Sequence, residues 1–144
     1  MRLAGALILA FVASAFAGAL AYGAVSLLPD WDDAAGRGLG DALRALLIAV
    51  YLILSMLLFG LALWRNDREH HLKRALSILL LAPPLVVVLG VVNNGIYGIQ
   101  WLREAVDAVQ MFVPLWAVAL VQWLILHSYV SRQSTAAEAT STNH

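Results

Sequence analysis

Four long apolar runs organise the chain, 3–28, 45–64, 75–92 and 111–130, and every Asp, Glu, Lys and Arg lies outside them. Each is near or above the roughly 20 residues that a helix needs to cross a hydrocarbon core about 30 Å thick. The pattern predicts an all-α protein, an integral membrane four-helix bundle that forms a single transmembrane domain over 1–130. The first run also resembles a signal peptide, with Met1-Arg2 at its head and small residues at Ala15 and Ala17. Removal of 1–21 would leave three spans in the same orientation. The run is longer than a usual signal core of about 7–15 residues, which favours a retained helix.

Within that first run Ala6, Ala10, Ser14 and Gly18 recur at every fourth position, and Ala13, Ala17 and Ala21 form a second row. Small residues at this spacing let helix backbones approach closely, one of the few driving forces for association in lipid. The first helix is therefore the expected centre of the bundle, although a chain simply rich in alanine would show the same rows.

The segments between the runs carry turn chemistry. Pro29, the acids Asp30, Asp32 and Asp33, and the glycines Gly36, Gly38 and Gly40 read as an exposed loop, with Asp41 as N-cap of the second helix. The three acids read as a solvated rim, since their spacing lacks a calcium-loop pattern. Trp64 closes the second run as an interfacial anchor, and 65–71 makes a tight turn that forces antiparallel packing of the second and third helices. Pro83-Pro84, inside the third run, should kink it, and in a transporter would line a path.

Asn93-Asn94-Gly95 is a turn signal. Beyond it Ile99, Leu102, Val106 and Val109 share one helical face, while Gln100, Arg103, Glu104 and Asp107 share the other. This pattern predicts an amphipathic helix over about 98–110, flat on the outer leaflet with Trp101 at headgroup depth, or docked on a partner. The tail 131–144 has no periodicity and reads as disordered and cytoplasmic. A weak echo links Asp41-Ala42-Leu43-Arg44 to Asp107-Ala108-Val109-Gln110, each ahead of a span running inward.

Composition narrows the function classes. At 62% hydrophobic and 12% charged the chain leaves no length for a soluble domain. Net charge is zero, but Arg2, Arg65, Arg68, Lys73, Arg74 and Arg132 fall on one side of the spans, and Arg37, Arg44 and Arg103 on the other. The positive-inside rule then puts both termini in the cytoplasm, as for a multi-pass protein of a bacterial inner membrane. With no cysteine, disulfides and thiol chemistry are excluded.

Candidate chemistry is sparse. Ion-coupled transport needs an ionisable side chain within the membrane, and the runs contain no acid or lysine. Gln122 reads as an interhelical hydrogen-bonding residue. His71 and His127 fall near the same membrane face and could supply two imidazoles to a haem or a metal ion, but no third ligand or pocket motif accompanies them. No catalytic constellation, cofactor motif or nucleic-acid-binding pattern is present, so the expected cofactors are none. The expected role is a non-catalytic accessory, assembly or stabilising subunit that packs against a larger membrane complex or against itself. The first alternative is a homo-oligomeric permease or lipid-handling protein with Pro83, Pro84, Gln122, Asn93 and Asn94 along its path. The second is an immunity-type protein that meets a membrane-directed toxin through its outer loops.

Overall fold

The computed structural model describes residues 3–27, 34–65, 67–94 and 99–141, with the side chains of 34–40, 91, 94, 99–107, 109 and 138–141 excepted. These residues form four helices: α1 Leu3–Val25, α2 Ala34–Trp64, α3 Arg68–Asn94 and α4 Ile99–Ser141. Each contains a stretch long and apolar enough to cross a membrane: Leu3–Val25, Asp41–Trp64, Arg68–Gly90 and Gln110–Ala137. In lipid every backbone donor and acceptor must be satisfied within the protein, and an uninterrupted helix does this residue by residue.

The bundle is built around α4, not α1 as its small-residue rows predict. Helix α4 packs against all three others and most extensively against α1, whereas among the described residues the backbones of α1 and α3 do not approach each other closely. Its buried residues Phe112, Leu115, Ala119, Gln122 and Leu126 follow alternating three- and four-residue steps, and Pro114 and Val118 add a second flank. That spacing is the seam of an antiparallel bundle. The buried residues of α1 are Ala6, Ala10, Ser14 and Gly18, a single row that serves one principal partner. A Cβ built on Gly18 would meet Val118 Cγ2 at 2.7 Å and Ile48 Cγ2 at 3.5 Å. Glycine here lets α1 wedge between α2 and α4.

The separate surface helix over 98–110 is not formed. Helix α4 runs for 43 residues without a break, from the amphipathic segment into the apolar run and on through Pro114 to Ser141. No turn residue separates Gln110 from Met111, so nothing stops the helix where the pattern changes from amphipathic to apolar. At 1.5 Å per residue α4 is about 65 Å long, roughly twice a hydrocarbon core. Its ends therefore extend beyond the membrane. The segment after Val130 is helical rather than patternless, with 131–137 exposed, and Ala136 and Ala137 are strong helix formers. Arg68 Nη1 donates to Gln133 Oε1 at 3.1 Å and Gln133 Nε2 to Tyr129 Oη at 2.7 Å, which ties this extension to the start of α3.

One loop expectation also changes. Helix α2 begins at Ala34, so Gly36, Gly38 and Gly40 lie within it and Asp41 is no cap. The Asp41 carboxylate instead accepts the Tyr22 hydroxyl at 2.8 Å, joining the end of α1 to the first turns of α2. Helix α3 continues through Pro83-Pro84 and includes Asn93 and Asn94 as its last residues. Asp30, Asp32 and Asp33 lie outside the described residues.

Candidate functional site

A proline in a helix has no N–H for the carbonyl four residues earlier. Pro83 and Pro84 therefore release the carbonyls of Leu79 and Leu80. In a membrane each unsatisfied group costs several kcal/mol, and both are satisfied from neighbouring helices. The Tyr51 hydroxyl on α2 donates to Leu79 O at 2.7 Å, and Trp116 Nε1–H on α4 donates to Leu80 O at 3.1 Å. The double proline thus acts as an acceptor pair on α3, read by one aromatic donor from each helix that packs against it.

A second polar junction joins α1, α2 and α4. Gln122 is fully buried, and its Nε2 donates to Ser14 Oγ at 3.1 Å and to Leu52 O at 3.4 Å. Ser14 Oγ donates in turn to Phe11 O at 2.9 Å, and the buried Ser55 Oγ to Leu52 O at 3.0 Å. Gln122 Oε1 has no partner. Both amide donors of Gln122 are used while its acceptor is left over, so the side chain acts as a donor toward α1 and α2.

Both junctions lie near the middle of the apolar stretches. Ser14 is the middle residue of Leu3–Val25 and Leu79 of Arg68–Gly90, while Leu52 and Gln122 stand within two residues of the middle of their spans. Helix α4 donates a side-chain hydrogen bond to each of the other three helices: Ser14 of α1, Leu52 of α2 and Leu80 of α3. Hydrogen bonds are strongest where water is scarcest, and here they coincide with the hub of the packing.

The remaining candidate residues fall elsewhere. The His127 ring stacks on Trp123 with centroids 4.9 Å apart and planes 8° from parallel; His127 Nδ1 and Trp123 Nε1 are buried without partners. His71 lines a groove between α2 and α3 in which α4 has no part, so the two imidazoles have different surroundings. Among the described residues no three His, Cys, Asp or Glu side chains gather around a common point for a metal ion. Asn93 is exposed, Trp64 is 87% exposed at the end of α2, and the side chains of Asn94 and Trp101 lie outside the described set. The grooves between α2 and α3, α1 and α4, and α1 and α2 are lined without Pro83, Pro84, Asn93 or Gln122.

Sequence reasoning did not single out Tyr51 or Trp116. The signal was available: two adjacent prolines in a span imply two stranded carbonyls, and these are aromatic donors placed well inside the second and fourth runs. Comparison with family models, curated proteins and solved structures gives no match to this chain.

Proposed function

We propose that this protein is a non-catalytic accessory or stabilising subunit that packs within a larger membrane assembly. The observation that carries the reading is the use made of the mid-span polar groups. Ser14, Tyr51, Trp116 and Gln122 are engaged with other helices, so the groups a permease would turn toward a path here hold the bundle together. The packing is thin around this centre. Only 17% of the α3 window and 22% of the α1 window is buried within the chain, leaving broad apolar faces for lipid and neighbouring subunits. The proposed setting is a bacterial-type inner membrane with both termini cytoplasmic, on the six-to-three division of basic residues.

The test is affinity isolation of the tagged full chain from its native membrane in mild detergent, followed by mass spectrometry of what remains bound. A larger membrane protein recovered in fixed stoichiometry is the expected result. A lone oligomer that conducts a solute in liposomes, and loses conduction in Gln122→Leu with its fold intact, would replace this reading with the permease.

A further inference from the structure

We propose that the groove between the end of α2 and the start of α3 binds one anionic glycerophospholipid from the surrounding leaflet. The groove has a volume of about 540 Å³, inside the range of about 300–1,000 Å³ of small-molecule sites. Its walls are apolar, formed by Leu58 and Leu61 of α2 and Ala75 and Ile78 of α3. Leu61 is 61% exposed and Ile78 57% exposed, so the wall is continuous with the lipid-facing surface. An acyl chain can enter sideways without leaving the bilayer.

The mouth is cationic. Arg65, His71 and Arg74 rim it, with Trp64 beside them at the end of the α2 span. Of the basic side chains in and beside this loop, these two arginines are the ones that line the groove. Lys73 is taken by Glu69 at 3.0 Å and Arg68 by Gln133 at 3.1 Å, while Arg65 and Arg74 have neither an ion pair nor a side-chain hydrogen bond among the described residues. Guanidinium groups suit phosphate because their paired N–H donors match its oxygens, and an imidazole adds a further donor. Basic pockets between spanning helices are a recurrent headgroup site, and tryptophan favours the same depth. The order along the groove, cations at the membrane edge and apolar walls below, matches a phospholipid. A soluble phosphate would leave the walls unused, and a zwitterionic lipid would leave the arginine charge uncompensated.

The test is native mass spectrometry of the full chain released from vesicles of equal parts phosphatidylglycerol and phosphatidylcholine. The wild type should retain one phosphatidylglycerol in preference to phosphatidylcholine by at least about fivefold. The variant carrying Arg65→Gln and Arg74→Gln should lose that preference. The matched variant carrying Arg68→Gln and Lys73→Gln removes the same charge from the same loop outside the groove, and should keep it. Equal retention of both lipids by the wild type would overturn the proposal. An equal loss in the two variants would also overturn it, because diffuse surface attraction would then explain the binding.

Discussion

Gly18 and Gln122 show how little room single positions leave at the centre of this bundle. A methyl group at residue 18 would press on Val118, whose β-branched side chain has few rotamers to escape into. Gly18→Ala should therefore destabilise the fold by about 1–3 kcal/mol, the usual range for overpacking. At Gly23 and Gly60 a Cβ meets nothing within 4 Å, so alanine there should be neutral or stabilising by up to about 1 kcal/mol. Thermal unfolding of the three variants in one detergent checks both statements, and equal effects would remove Gly18 from the α1–α4 contact. At Gln122 the loss is partly covered, since Leu52 O also receives Ser55 Oγ, and the Ser14 hydroxyl still donates to Phe11 O. Loss of the amide also removes an unpartnered buried oxygen. Gln122→Leu should thus cost no more than about 1.5 kcal/mol, while Gln122→Ala, which adds a cavity, should cost more. Unfolding free energies in bicelles separate the two, and a leucine variant as damaged as the alanine variant would contradict the assignment.

Among the elements, α4 departs furthest from what its sequence pattern predicts. The change from amphipathic to apolar character near Gln110 is a change of surroundings and not of backbone conformation, since both stretches are helical. Spin labels at Ala105 and Leu120 should therefore lie about 22 Å apart along one axis, given 1.5 Å per residue. A clearly shorter separation by pulsed electron resonance would restore a bend and a separate surface helix. The spans themselves were legible because lipid imposes length and the absence of charge. Which helix lies at the centre was not. In soluble helices the buried face is marked by contrast with a polar one, but the lipid-facing Leu120 and Leu124 are as apolar as the buried Leu115 and Leu126. In α1 the row of small residues supplied a different mark, and it picks out the face that packs. At the candidate site, Gln122 could be read because amides are rare in such runs. Tyr51 and Trp116 were signalled only indirectly, through the carbonyls that two prolines in another helix leave without donors.

For the whole molecule, the orientation and the source of cohesion are the statements with most at stake. Reporter fusions after Arg132 and near Asp67 should both read as cytoplasmic, following the basic residues; an external signal at either would reverse the topology. Cohesion rests on side chains that replace the hydrogen bonds two prolines remove from α3, with α4 reaching all three partners. The direct measurement is a pair of double-mutant cycles on unfolding free energy in bicelles, Tyr51→Phe with Pro83→Ala and Trp116→Phe with Pro84→Ala. In the native background each aromatic substitution should cost about 1–2 kcal/mol, near the upper end for interhelical hydrogen bonds. With alanine at 83 or 84 a backbone N–H returns to the carbonyl of Leu79 or Leu80, and the cost should fall by half or more. An undiminished cost in the alanine backgrounds would mean that Tyr51 and Trp116 stabilise by packing alone, and the hydrogen-bonded centre would be wrong.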